Sequence, residues 1–172
     1  MYGSTGNILR IDLKNKKAVT ESLKEDILRN FIGGRGIGAW ILGRELPSGV
    51  DPLSPENKLV ISVGPLAGTK ALGTHRWIAQ FKSPLTGTYF RSVGGGFFGA
   101  ELKFAGYDAL IIEKKADKPT YVYIHDTNVE FQDANKIWGM TIDAARDFLL
   151  EETTRDARTV VIGAAGENLV KM

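Results

Sequence analysis

The chain has 172 residues, of which 43% are hydrophobic and 24% charged, enough apolar material for one domain or for one domain built from two similar halves. Its 22 basic and 20 acidic side chains leave a formal charge of +2, which argues against a nucleic-acid partner, since that calls for a clustered basic face. With no cysteine and only His75 and His125, these residues exclude disulfides, thiolate-held zinc and an internally ligated iron–sulfur cluster, and they disfavour an independent transition-metal site.

In chain order, residues 7–13 alternate, with Leu9, Ile11 and Leu13 on one face and Arg10 and Asp12 on the other, the pattern of a half-buried strand. Lys14-Asn15-Lys16 turns the chain into a second strand over 17–23. Ile27, Leu28, Phe31 and Ile32 stand at helical spacing within 25–32. Gly33-Gly34-Arg35-Gly36 interrupts, and helical character resumes over 37–46. After a loop marked by Pro47, Pro52 and Pro55, residues 59–63 form a short buried strand ending in Gly64-Pro65-Leu66-Ala67-Gly68.

The stretch 75–82 predicts a strand with Trp77, Ala79 and Phe81 opposite Arg76, Ile78 and Gln80. Ser83-Pro84-Leu85-Thr86-Gly87 turns it into a partner strand over 88–92. Gly94-Gly95-Gly96 leads into a helix over 97–105, closed by Gly106, and a buried strand follows over 107–113. The order of the first part then returns: strands over 120–126 and 129–134, and a helix over 142–151 capped by Thr141. A buried strand over 159–162 follows, ending in Gly163-Ala164-Ala165-Gly166. The expected architecture is α+β: duplicated strand-strand-helix-strand halves, about 1–69 and 107–172, forming two mixed β-sheets with a few helices, joined by a central hairpin and glycine-rich turn over 70–106.

Two features stand out chemically. Gly94-Gly95-Gly96 lets the backbone approach a ligand closely and opens onto a helix start, which suits an anion; a simple tight strand-to-helix turn fits the triplet equally well. Its spacing is neither that of the dinucleotide fingerprint nor that of a nucleotide phosphate loop. Arg76 stands at the start of the hairpin whose other arm ends at the triplet, so its guanidinium could grip the same anion. The other reading of Arg76 is a surface arginine paired with a carboxylate. Arg91 and Arg35 are weaker versions of the same idea, and no acid–base couple or catalytic residue can be assigned.

Several longer runs narrow the field. Asp51-Pro52-Leu53-Ser54-Pro55-Glu56-Asn57-Lys58-Leu59, Gly64-Pro65-Leu66-Ala67-Gly68-Thr69, Lys82-Ser83-Pro84-Leu85-Thr86-Gly87 and the stretch from Gly95-Gly96-Phe97-Phe98-Gly99-Ala100-Glu101 to Tyr107-Asp108-Ala109 resemble, in the same order, the N-terminal region of tungsten-pterin aldehyde ferredoxin oxidoreductases. The closing Gly163-Ala164-Ala165-Gly166-Glu167-Asn168-Leu169-Val170-Lys171 agrees. The resemblance covers the whole chain but only the first part of that family's polypeptide. It implies one tungstopterin-binding domain over 1–172, possibly lacking its C-terminal end.

In that family a tungsten bis-pterin, its phosphates bridged by Mg, rests on the domain, and an aldehyde plus water becomes a carboxylic acid with electrons passing through a 4Fe-4S cluster to ferredoxin. The resemblance maps the cofactor-binding positions onto Arg76, Val93, Gly94, Gly95 and Gly96, with a backbone role at Val93 toward Mg and no metal ligand from side chains. The family has glycine where His75 stands here, and often a polar residue at Val93. The cluster cysteines and later domains lie outside this sequence, so the chain alone is expected to be an incomplete enzyme. Its partners would be the remaining domains or a partner subunit, with ferredoxin for the complete enzyme. The alternative is a non-catalytic homologue binding another anion or a protein. A surface left uncovered in a solitary chain predicts self-association. With no signal peptide and no membrane-spanning stretch, no membrane partner is expected and the expected location is cytoplasmic.

Overall fold

A computed structural model describes residues 2–171. Its centre is a six-stranded mixed sheet. The strands are β1 (Asn7–Asp12), β2 (Lys17–Ser22), β3 (Lys58–Val63), β4 (Trp77–Lys82), β5 (Tyr89–Gly94) and β6 (Ala109–Glu113), in the order β2-β1-β6-β3-β4-β5. Helices α1 (Glu25–Phe31) and α2 (Arg35–Glu45) lie on one face, and α3 (Phe98–Phe104) lies on the other. A separate two-stranded ribbon, β7 (Thr120–His125) and β8 (Asn128–Asp133), is followed by α4 (Ile142–Glu152) and a single turn, α5 (Ala164–Glu167). The α+β class, with two sheets and a few helices, is the one the sequence pattern predicts.

Hydrophobic periodicity explains the two cores. Ile8, Val60, Ala109 and Ile111 point toward α1 and α2, where Leu28, Ile37, Ile41 and Leu42 meet them. Leu9, Ile11, Ile61, Val63 and Leu110 point the other way, toward Leu102 of α3 and toward Val122, Ile124, Val129 and Phe131 of the ribbon. β6 sits between β1 and β3, parallel to the first and antiparallel to the second, so Ala109, Leu110 and Ile111 are buried on both sides, as an unbroken apolar run predicts.

β1 departs from the half-buried strand read from its alternation. Its second face is covered too, and Arg10 on that face is held by carboxylates from three elements. Its guanidinium donates to Glu21, Glu45 and Glu113 at 2.6 to 3.1 Å, and Lys58 joins the same cluster.

Helix ends follow local chemistry. Thr141 caps α4, its hydroxyl accepting from the Ala144 amide at 3.3 Å. α1 stops at Ile32, which takes the left-handed φ of 64°; the chain re-enters helix three residues later at Arg35.

Two expectations need correction. Residues 159–162 form no regular element and join no ladder; the buried strand expected there is not formed among the described residues. The segment Gly163-Ala164-Ala165-Gly166, read as the end of a strand, instead leads into α5, which starts at Ala164. Strand limits also move: β4 begins at Trp77, leaving His75 and Arg76 just outside it, and β5 extends through Val93 and Gly94. No helix among the described residues is long and apolar enough to cross a membrane.

Candidate functional site

The hairpin β4–β5 brings the glycine triplet beside Arg76. Trp77 pairs with Gly94 and Ile78 with Val93, so one step further Arg76 stands across from Gly95. The Trp77 indole lies flat against Gly94: a Cβ there would come within 2.2 Å of the ring. Its Nε1 donates to the Gly95 carbonyl at 3.1 Å, and its ring meets Phe98 edge-on at 5.5 Å. The indole therefore fixes the turn from the α3 side. Gly95 and Gly96 have nothing within 4 Å of where a Cβ would stand, and Gly96 has a φ of 72°. Their amides donate to no protein acceptor among the described residues, so the turn offers N–H groups in open space. Gly94 is structural in this arrangement, whereas Gly95 and Gly96 are the accessible backbone.

Arg76 is exposed and makes no ion pair or hydrogen bond among the described residues. Arg91 and Arg35 are likewise exposed, with no carboxylate partner among the described residues. The pairing of Arg91 with Gln80 puts it on the face that Gln80 turns toward α2, and strand alternation puts Arg76 on the same side. Arg35 opens α2. Arg91 and Arg35 both act on Tyr89 toward the turn end of the hairpin, whereas Arg76 precedes its open end, and none of the three has a counter-ion among the described residues. Val93 is exposed, opposite Ile78. His75, by contrast, is engaged: a ring nitrogen bonds the Thr69 carbonyl at 3.2 Å, and the ring packs on Phe97 at 5.8 Å.

A polar relay, buried at Gln80 and Ser62, links three strands of the sheet to the start of α2. The Tyr89 hydroxyl donates to Gln80 Oε1 at 2.7 Å, Gln80 Nε2 donates to Ser62 Oγ at 2.8 Å, and Ser62 Oγ donates to the Gly34 carbonyl at 2.8 Å. Gln80 and Ser62 are both fully buried, and every step of the relay is satisfied, so it stiffens rather than weakens the core. It ties β5, β4 and β3 to the residue preceding Arg35. Gly38 admits Gln80, since a Cβ there would fall 1.8 Å from its amide nitrogen. Burial raises the pKa of the Tyr89 hydroxyl above its ordinary value, against the opposing field of Arg35 and Arg91.

Sequence reasoning missed the relay. Its signal was present, as a serine and a glutamine in the middle of otherwise apolar strands. It also missed a cavity of about 320 Å³ on the α3 side of the turn, where Arg146, Arg155 and Arg158 approach Gly95, Gly96 and Phe97. The Arg158 guanidinium lies 5.7 Å from the Phe97 ring centre. No local pattern brings residue 158 to residue 97.

Comparison with known proteins agrees in one direction. The family model for the aldehyde ferredoxin oxidoreductase N-terminal domain matches residues 8–172. The tungsten-containing aldehyde ferredoxin oxidoreductases of Pyrococcus abyssi and Pyrococcus furiosus are 46% and 44% identical over 172 residues. A Pyrococcus furiosus aliphatic sulfonate oxidoreductase, WOR-like subunit, is 40% identical. Each of these three alignments covers 99% of this chain, but the chain spans only 28% of the first two relatives and 30% of the third. Among solved structures, the active site complex of benzoyl coenzyme A reductase with 1,5-dienoyl-CoA superposes with a TM-score of 0.95 at 36% identity, covering 97% of this chain and 26% of that one.

Proposed function

Because the chain belongs to the aldehyde ferredoxin oxidoreductase family as its N-terminal domain, we propose that it forms the tungstopterin-binding part of such an oxidoreductase, incomplete as an enzyme by itself. The observation that carries this reading is the placement of unpaired Arg76 across the β4–β5 hairpin from the open backbone of Gly95 and Gly96. A guanidinium and free backbone amides form a donor set suited to a phosphate. The residues present therefore fit the phosphate end of a pterin cofactor.

Each residue has a bounded task. Arg76 binds phosphate oxygens through paired N–H donors. Gly95 and Gly96 add amides and leave room for the ligand to reach them. The Trp77 indole holds the turn in place, and the Tyr89–Gln80–Ser62 relay holds the adjoining strands. The Val93 backbone carbonyl offers one oxygen to a Mg ion whose remaining shell would come from phosphate and water. When bound, the tungsten bis-pterin supplies the two-electron redox chemistry, while the protein positions and tunes it. In the complete enzyme an aldehyde and water give a carboxylic acid. A 4Fe-4S cluster would be ligated outside this cysteine-free chain and would supply the path for electrons to ferredoxin. The proposed enzyme is cytoplasmic.

Anaerobic expression with tungstate, followed by metal and organic-phosphate analysis, tests the reading. The wild-type chain should retain tungsten and phosphate together, and Arg76→Gln should lose most of both while its circular dichroism is unchanged. An empty wild-type chain would favour a non-catalytic homologue. Equal loading of the Arg76→Gln variant would remove Arg76 from the site.

A further inference from the structure

A second cavity lies at the other edge of the six-stranded sheet, where the ribbon β7–β8 packs against β1 and β2. The sheet runs from β2 at one edge to β5 at the other, so its width separates this cavity from the glycine turn. Side-chain alternation builds it. Lys16, Ala18 and Thr20 stand two residues apart and line it from β2 and the turn before it, and Val129 and Phe131 line it likewise from β8. Leu9, paired with Thr20 and 1% exposed, lies beneath. Tyr107, just ahead of β6, brings its hydroxyl to Thr20. The cavity holds about 310 Å³, at the lower end of the range for small-molecule sites.

Its polar groups are not satisfied by one another. Tyr107 is 3% exposed, and among the described residues its hydroxyl has one polar neighbour, Thr20 Oγ1 at 3.5 Å. An O–H···O bond is about 2.5 to 3.0 Å long. The buried phenol therefore keeps hydrogen-bonding capacity for a group in the cavity. Lys16 is exposed and makes no ion pair or hydrogen bond among the described residues. Asn128, at the ribbon turn, gives its amide to Glu130 at 2.9 Å, and alternation puts Glu130 on the opposite face of β8 from Val129 and Phe131. Lys16 is thus the one charged side chain lining the cavity among the described residues.

We propose that this cavity binds a small organic carboxylate with an apolar body and an oxygen at its far end. Lys16 takes the carboxylate, Ala18, Val129 and Phe131 hold the body, and Tyr107 and Thr20 hydrogen-bond the far oxygen. One cation among neutral donors and apolar walls matches a monoanion. A phosphate's second charge and extra acceptors would go unmatched there. Lys16 and Thr20 are at most about 13 Å apart along the chain. The reach of a lysine side chain shortens that span to the length of one substituted ring or a short chain. The inference does not rest on the cofactor reading, since Arg76, Gly95 and Gly96 take no part in this cavity.

The probe is 4-hydroxyphenylacetate, compared with phenylacetate, which lacks the far oxygen. Amide NMR of the full chain should show residues 16–20 and 128–131 shifting, with a Kd of about 1 mM or tighter, as a ligand of about eleven heavy atoms allows. Lys16→Gln, at an exposed turn, should weaken both probes about tenfold, whereas Lys14→Gln should weaken neither. Tyr107→Phe should weaken 4-hydroxyphenylacetate about fivefold and leave phenylacetate unchanged, a difference that general loosening of the fold would not produce. If Tyr107→Phe unfolds by circular dichroism, Thr20→Val gives the same comparison. Arg76→Gln should leave both probes unaffected. The proposal is overturned by no shifts at about 10 mM probe, by shifts centred on Gly95 and Gly96 instead, or by equal effects of Lys16→Gln and Lys14→Gln. Equal weakening of the two probes by Tyr107→Phe would overturn it as well.

Discussion

Replacing Gly94 with alanine separates the structural from the accessible glycines of the turn. The new Cβ would stand 2.2 Å from the Trp77 ring, and the obstacle is a packed indole rather than a flexible tail. Trp77 must then rotate or β5 must shift. Overpacking of this kind costs about 1 to 3 kcal/mol. A displaced indole also loses its bond to the Gly95 carbonyl, 3.1 Å long, worth about 1 kcal/mol more. The expected loss is therefore about 2 to 4 kcal/mol in total. Gly95→Ala meets nothing within 4 Å, so it should cost under about 0.5 kcal/mol, as exposed substitutions do. It should nevertheless reduce tungsten and phosphate retention, because its methyl occupies the ligand's approach. Urea unfolding followed by tryptophan fluorescence and circular dichroism measures both variants. A Gly94→Ala protein as stable as wild type, or a Gly95→Ala protein as unstable as Gly94→Ala, would refute the division of roles.

Three further outcomes follow from the charge network and the uncovered surface. Arg10→Met leaves Glu21, Glu45 and Glu113 with Lys58 as the remaining cation of the cluster and should cost about 3 kcal/mol in urea unfolding at neutral pH. For Glu45, burial raises the carboxyl pKa, but bonds to Arg10 and Lys58 outweigh it and hold the folded value below the ordinary 4.5. A depressed folded pKa stabilises above the unfolded value, and that stability is lost as pH falls through the folded one. Glu45→Gln should therefore flatten the loss of stability below about pH 4.5, read from urea midpoints across that range. Exposed Val160, Ile162, Leu169 and Val170 should make the solitary chain self-associate, and light scattering showing a strict monomer at high concentration would contradict that.

The sequence determined what depends on neighbours along the chain. Alternation placed β1, β2, β3, β7 and β8 to within a residue or two, Thr141 announced α4, and the glycine triplet and Arg76 were visible as chemistry before any coordinates. Only the tertiary structure decided which strands pair. β6 inserts between β1 and β3 although it follows them by many residues, and nothing in its apolar run specifies that position. The same long-range pairing gathers three carboxylates onto Arg10, threads Tyr89, Gln80 and Ser62 into one relay, and brings Arg158 to Phe97. It also decides the fate of residues 159–162, whose composition is that of a buried strand. Periodicity is a property of a segment, whereas a ladder needs a second edge. A strand sequence without a pairing edge joins no sheet, as at residues 159–162.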